Sequence, residues 1–304
     1  MDFRQLEMFR SVAEEGTFSR AAERLNVSQS AISRQVKLLE EELGGRLLHR
    51  GARRVALSPA GELLLRTAHR VHQEVEEVVS QISDTQALRR GSLCLAGGMT
   101  VCMFVLPPVL KRYRRLYPQV DLRVVSGPSE AILRKIRARE VDLALLTLPV
   151  VAEDLEVVPV LKEEMVVVTA PGHPLSRERS VEAKSLGKFP LILYEAGSNT
   201  RRVLDQFLME EGVPVRVAME TENVEIIKAM VGAGLGVTIV PYAAIARDVR
   251  AHRRLAFARL RGRRLVRETG WVYLKSDYVP RTISEMTRVF AEMRARFGDK
   301  PPAP

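Results

Sequence analysis

Gln29, Ser30, Ser33, Arg34 and Lys37 follow one another at offsets of one and three residues. On a helix this spacing gathers them on one polar face, opposite Ile32, Val36, Leu39 and Leu43. The residue types match what a helix entering the major groove of DNA requires. Gln29 can bond bidentately to adenine, and Ser33 can reach a base or a phosphate. Arg34 and Lys37 suit guanine or phosphate, and Ser30 sits where base edges are met. A solvated amphipathic helix carries a similar face, so the neighbouring elements decide between the two.

Those neighbours form a short series of helices with local start and stop signals. Phe3, Leu6, Phe9, Val12 and Ala13 make the buried stripe of a first helix, which Gly16 ends. Thr17 is placed to cap a second helix, Phe18–Leu25, with Ala21, Ala22 and Leu25 inward. Asn26 and Val27 form a tight turn, Ser28 caps the polar-faced helix Gln29–Leu43, and Gly44-Gly45 terminates it. A short helix, a tight turn and a longer polar-faced helix favour the DNA-reading alternative. Residues 50–57 then read as two extended pieces around a basic tip, a wing whose Arg53 and Arg54 face the minor groove or backbone.

Ser58-Pro59 restarts a helix, with Pro at its first position. Leu64, Ala68, Val71, Val75, Val78 and Ile82 recur at intervals of four, three, four, three and four, the seam of a coiled coil. Packing on its own domain is the alternative. The narrow stripe and charged flanks favour an intermolecular seam, with Leu64, Val71, Val75, Val78 and Ile82 as dimerisation residues. Two reading heads in register would then meet a palindrome.

Charge alone does not mark the DNA-facing segment. The chain carries a formal +10, yet residues 1–90 hold 14 Lys and Arg against 13 Asp and Glu. The excess lies in residues 247–267, with nine Arg against one Asp. That stretch is read most simply as a solvated face; contact with an acidic surface of another subunit, or with bent DNA, is the alternative. Hydrophobic residues at 46% and charged residues at 28% fit sizeable globular cores. Residues 1–10 have no apolar h-region, and no apolar run is long enough to span a bilayer, so neither a signal peptide nor a membrane partner is expected. Two cysteines, Cys94 and Cys102, in apolar surroundings fit a reducing cytoplasm; a redox role for Cys102 is the lesser alternative.

Enzyme chemistry finds little support. None of His49, His69, His72, His173 and His252 shows metal-ligand spacing in an acidic cluster. There is no phosphate loop and no G-x-S-x-G elbow. No catalytic residue, metal or cofactor is expected. From Gly91 onward, apolar strands alternate with amphipathic helices, the pattern of an α/β sheet domain. Strands are expected at residues 93–96, 120–125, 143–146, 165–169, 191–193, 215–220, 237–239 and 271–275.

The N-terminal part resembles the LysR-type transcriptional regulators. The match runs through Arg4-Gln5-Leu6 and Phe9, then Gly16-Thr17-Phe18-Ser19-Arg20-Ala21-Ala22-Glu23-Arg24-Leu25. It continues as Val27-Ser28-Gln29-Ser30-Ala31-Ile32-Ser33-Arg34-Gln35-Val36 and closes at Leu57-Ser58-Pro59-Ala60-Gly61. Leu106-Pro107-Pro108, Tyr117-Pro118, Val141-Asp142-Leu143-Ala144-Leu145 and Gly234-Leu235-Gly236-Val237-Thr238-Ile239-Val240-Pro241 extend it to the same family's effector domain. Ser30 and Leu48 depart from the Pro and Phe of many members, and Ser30 leaves a hydroxyl on the DNA side.

The resemblance implies an N-terminal winged helix-turn-helix (mainly α), a long linker helix, and an α/β effector domain of two subdomains resembling type 2 periplasmic binding proteins. The expected boundaries are residues 1–58, 59–90 and 91–304, with subdomains at 91–161 plus 267–304 and at 162–266. The implied function is transcription regulation, as activator or repressor, controlled by a small polar or anionic effector. Double-stranded DNA and further copies of the chain, as homodimer or homotetramer, are the implied partners, with RNA polymerase a further one. A transport-type solute-binding protein would match the C-terminal half alone, and the DNA-binding half argues against it.

Ligands of open α/β folds sit beyond the carboxyl ends of strands, near helix N-termini. Gly97-Gly98-Met99-Thr100 follows the first expected strand and Thr147 the third; Gly197-Ser198-Asn199-Thr200 and Glu222-Asn223 open helices. Gly98, Met99, Thr100, Thr147, Ser198, Asn199, Thr200 and Asn223 are therefore the candidate effector contacts, and the resemblance places contacts at Thr100, Thr147 and Thr200. Helix capping is the competing role for Ser198 and Thr200. Met99, Cys102 and Met103 are candidates for an apolar wall.

Overall fold

The computed structural model describes residues 1–50, 55–82, 91–250, 255–276 and 278–297. Arg53 and Arg54 of the expected wing tip, and the side chain of Ile82, fall outside them. The chain divides into two compact units, one of Met1–Ala87 with Arg137–Glu140 and one of Leu88–Ile136 with Val141–Pro304.

In the first unit, α1 (Phe3–Glu15), α2 (Phe18–Leu25) and α3 (Gln29–Leu43) precede the strands β1 (Leu48–Arg50) and β2 (Val55–Leu57), and α4 (Pro59–Ile82) follows. Short-range chemistry sets the boundaries. Asp2 and Gln5 form a reciprocal cap on α1, with bonds of 2.8 and 3.0 Å. Thr17 Oγ1 accepts from Arg20 N at 3.3 Å and Ser28 Oγ from Ala31 N at 3.2 Å. Gly16 and Gly44 close their helices at φ 70°, which costs glycine little.

Phe9, Val12, Ala21, Ile32, Val36 and Leu39 fill the core between these helices. Phe3 and Leu43, expected inward, are 42% and 47% exposed. Each sits at a helix end, where the apolar stripe runs past the partner that would cover it. Met8 is buried in their stead.

The wing is anchored from two sides. Glu40 Oε1 accepts the N–H groups of Leu47 (2.8 Å) and Leu48 (3.1 Å), and Val55 N donates to Gly16 O at 2.9 Å. Ser58 donates to Arg46 O at 2.6 Å and accepts from Gly61 N at 3.0 Å, which caps α4. A Cβ on Gly61 would stand 2.1 Å from Leu47 O, so only glycine admits this close approach.

The second unit is a mixed sheet clothed by helices. Its first stretch is β3 (Gly91–Gly97), α5 (Met99–Phe104), α6 (Leu106–Leu116), β4 (Val120–Ser126), α7 (Ser129–Arg137) and β5 (Leu143–Thr147). Then come β6 (Leu155–Thr169), β7 (Ser180–Val181), β8 (Leu191–Leu193), α8 (Asn199–Glu210), β9 (Val217–Glu220) and α9 (Val224–Gly232). The last elements are β10 (Thr238–Pro241), α10 (Tyr242–Arg250), β11 (Ala256–Leu260), β12 (Val266–Leu274) and α11 (Arg281–Met293).

The strand order is β4-β3-β5-β12-β6-β11-β7, with β10 also on β6 and a separate β8-β9 pair. β4, β3 and β5 run parallel, whereas β12 lies antiparallel between β5 and β6. β6 and β12 are longer than the sequence pattern indicated, because their polar halves pair with each other. β11 and β7 were not expected at all.

Two lobes result, joined by β6 and β12. In the first, strand alternation sends Leu93, Leu95, Leu143 and Leu145 to one face with Tyr113, Trp271 and Phe290, and Ala96, Ala144 and Leu146 to the other with Ile132 and Ile136. The second lobe buries Val166–Val168, Leu191–Leu193, Leu204, Ile227 and Ile239.

The arginine-rich stretch is not simply a solvated face. Arg267 is 1% exposed and donates through Nε (3.1 Å) and Nη2 (2.6 Å) to Glu163 Oε2. Arg259 holds Glu164 with bonds of 2.7 and 2.6 Å. Arg261 and Arg263 remain outside, beside Glu182 and Glu210. Two adjacent glutamates on β6 thus neutralise two arginines about a hundred residues away.

Candidate nucleic-acid interface and effector cleft

In the first unit, Gln29, Ser30, Arg34 and Lys37 are exposed on α3 and Ser33 is half-buried. The hydroxyl of Ser19, on α2, donates to Gln29 Oε1 at 3.2 Å, and Ser28 and Ser30 hydroxyls lie 3.0 Å apart. Lys37 pairs with Glu41 one turn on, at 3.4 Å. Ser19 was absent from the sequence-derived candidates, although it lies in the stretch that carries the family likeness.

α4 divides in two along its seam. Leu64 packs against the core of its own unit and Ala68 is buried, so Leu64 is committed there rather than to an open seam. Val71 is half-buried, and Val75 and Val78 are 42% and 52% exposed. Beside α4, Glu14 of α1 receives Arg24 at 2.7 Å, with Arg10 at 3.7 Å and His69 of α4 at 3.6 Å. Burial works to raise its carboxyl pKa, but these cations outweigh it and hold the group below its ordinary range.

In the second unit, the carboxyl ends of β3 and β5 face the N-terminus of α8. Thr147 Oγ1 and Thr200 Oγ1 stand 3.3 Å apart, and Asn199 Nδ2 donates to Thr147 O at 2.7 Å. Thr100, Thr147, Asn199 and Thr200 are all buried. Arg202 extends this chain outward, donating to Asn199 Oδ1 at 3.2 Å and to Glu130 of α7 at 3.0 Å. Gly98 opens α5 with free space around its Cα, while Gly97 is hemmed in by Val101 and Leu145 O. Met99 is half-buried, and Met103 is 38% exposed.

Two candidates have another task. Ser198 Oγ accepts from Arg201 N at 3.2 Å, and Asn223 Oδ1 from Glu225 N at 2.9 Å, so each caps its helix. Arg201 serves the fold as well, binding Asp205, Glu220 and Tyr194 O at 2.7 Å each. Cys102 donates its thiol to Gly97 O at 3.4 Å, and burial pushes its pKa up to about 11. A thiol held protonated is a poor nucleophile, which argues against a redox role.

Among the described residues, no group of three His, Cys, Asp or Glu could hold a metal ion, and no helix is long and apolar enough to cross a membrane. Residues 3–62 match the bacterial regulatory helix-turn-helix protein, lysR family, and residues 86–295 match the LysR substrate binding domain. The chain belongs to the LysR family.

Relatives agree with this placement. A probable RuBisCO transcriptional regulator of Trichormus variabilis is 32% identical over 251 residues, covering 81% of this chain and 74% of that protein. The HTH-type transcriptional regulator GltR of Bacillus subtilis is 32% identical over 248 residues, 81% of each chain. Full-length OxyR from Pseudomonas aeruginosa shares the fold with a TM-score of 0.78 at 24% identity, over 99% of both chains. Full-length CbnR complexed with its target DNA gives 0.67 at 25% identity, over 98% of this chain and 100% of that one. This LysR-type protein is therefore a DNA-binding transcriptional regulator with an effector-binding domain.

Proposed function

We propose that this regulator reads operator DNA as a homodimer or homotetramer and responds to a small polar or anionic metabolite held between the two lobes of its effector domain. The reading divides the chain into a DNA-binding domain at 1–58, a linker at 59–90 and an effector domain at 91–304. The observation that carries it is the meeting of Thr147 and Thr200, 53 residues apart in sequence and 3.3 Å apart in space, at the N-terminus of a twelve-residue helix. Hydroxyl donors beside a helix N-terminus suit an anion.

An effector changes DNA binding only if it prefers one arrangement of the lobes. A ligand that enters between Thr147 and Thr200 meets this condition, because these two residues belong to different lobes. Single Thr100→Val, Thr147→Val and Thr200→Val variants test the site. Each should weaken effector binding by about 0.5–1.5 kcal/mol and leave effector-free operator binding intact. Calorimetry and footprinting read the two quantities, and unchanged effector affinity in all three variants would place the site elsewhere.

A further inference from the structure

The floor of the cleft carries polar groups with no bonding partner. Strand register places Thr269 of β12 opposite Thr147 on one side and Leu161 on the other, so their side chains share a face. Two residues along the same strand, Arg267 opposes Glu163. Tyr194, following β8 in the other lobe, sets its phenol beside the Thr100 hydroxyl and within electrostatic reach of Arg267 and Glu163. The floor therefore draws on both lobes.

Three of its polar atoms are buried and lack a hydrogen bond of good geometry: Glu163 Oε1, Thr269 Oγ1 and Tyr194 OH, the last with only the Thr100 hydroxyl near enough to interact. Both bonds from Arg267 end on Glu163 Oε2, which leaves Oε1 free to accept. Glu163, Tyr194 and Thr269 are 4%, 3% and 0% exposed. Buried polar groups are nearly always satisfied, and a cluster of three unsatisfied ones is a standing cost to the ligand-free protein.

The three atoms comprise one obligate acceptor and two hydroxyls that can donate. That set complements an alcohol, which donates to the carboxylate oxygen and accepts from the phenol or the threonine. A ligand carboxylate would be repelled by Glu163, and an aliphatic carbon would satisfy none of the three.

We propose that Glu163, Tyr194 and Thr269 form a specificity subsite that selects a hydroxylated small acid over its deoxy counterpart. The inference rests on the reading of the cleft as an effector site: the acid group lies toward Thr147, Thr200 and the start of α8, and the hydroxyl toward the floor. A site built around a ligand hydroxyl discriminates strongly against the analogue lacking it, because its own polar groups are then left unpaired.

The test uses the full chain and matched probes: lactate against propionate, and malate and tartrate against succinate. Calorimetry should show at least one hydroxy acid binding about tenfold or more tighter than its deoxy partner. Tyr194→Phe and Thr269→Val should abolish that preference and leave deoxy-acid affinity unchanged. Both variants keep side-chain shape, so the ligand-free protein should melt at the wild-type temperature or above it. A lower melting temperature would mean the hydroxyls are already paired, by water or protein, and would overturn the subsite. Equal binding of hydroxy and deoxy acids, weakened alike by Thr200→Val, would overturn the subsite while leaving the cleft reading intact. Failure of every acid to bind, or binding indifferent to Thr147→Val and Thr200→Val, would overturn the cleft reading and the subsite with it.

Discussion

Ser19 Oγ donates to Gln29 Oε1 at 3.2 Å, which ties the first turn of α2 to the first residue of α3. With its carbonyl oxygen engaged, the exposed Gln29 has its amide donors left to offer a base edge. Gln29→Ala should cost about 1–3 kcal/mol on operator DNA and little on random DNA. Ser19→Ala removes only the brace, and its loss should be about 0.5–1.5 kcal/mol on the same operator. Fluorescence anisotropy on operator and scrambled duplexes separates the cases. Equal losses on both duplexes would show that Gln29 meets the backbone and not a base.

Val75 and Val78 are the part of the α4 seam that its own unit leaves exposed. Leu64, by contrast, packs against the helix-turn-helix core, and Ala68 is buried. Lysine at both Val75 and Val78 places two charges in the proposed contact and disturbs nothing beneath. The double variant should run as a smaller species in light scattering and lose binding to a two-half-site operator. Its helical circular dichroism and the melting of its effector domain should stay unchanged. A double variant of unchanged mass would move the dimer contact elsewhere.

The side chains of the Glu163–Arg267 pair are 3% and 1% exposed, so removing either partner strands a charge in the sheet. Glu163→Ala or Arg267→Ala should cost about 3–5 kcal/mol. Arg261→Ala, whose partner Glu182 lies 3.6 Å away with both side chains more than half exposed, should cost less than about 1 kcal/mol. Urea unfolding followed by the fluorescence of Trp271, the one tryptophan in the chain, measures both. Comparable losses at the two sites would show that burial does not govern these pairs.

What the sequence made legible was local chemistry. Thr17, Ser28, Gly16 and Gly44 bound their helices through bonds spanning three or four residues, and such bonds need no knowledge of the fold. The Thr147–Thr200 meeting was foreseen only as a convergence of strand and helix ends, because its two halves lie far apart in the chain. The arginine-rich stretch misled for the same reason. Arg267 looks solvated until strand register sets Glu163 opposite it, and Arg259 until its side chain is seen to reach Glu164 on the neighbouring strand. Val75 and Leu64 share one heptad pattern, yet the pattern cannot tell which of them α1 and its neighbours cover.

Buried acids also set the behaviour of the effector domain in alkali. Burial pushes the Cys102 thiol from 9.0 to about 11 and the Tyr194 phenol from 10.0 to about 12, and it raises Tyr113 as well. As pH climbs through 9 to 10, these groups lose their protons in the unfolded chain and keep them in the folded one. The unfolded state then binds fewer protons, so stability falls with rising pH. Their contribution is complete below about pH 9 and is lost progressively toward pH 11–12. Glu14 acts at the other end and in the other unit. Its folded pKa lies below 4.5, so its contribution is present above that pH and lost as pH falls through the folded value. Urea midpoints read through Trp271 should therefore hold level from pH 7 to about 9 and decline beyond. Tyr194→Phe should make that decline shallower, because phenylalanine has no proton to lose in either state. An alkaline limb of unchanged slope in Tyr194→Phe would mean that the phenol ionises alike in the folded and unfolded chain and is not held in a dry floor.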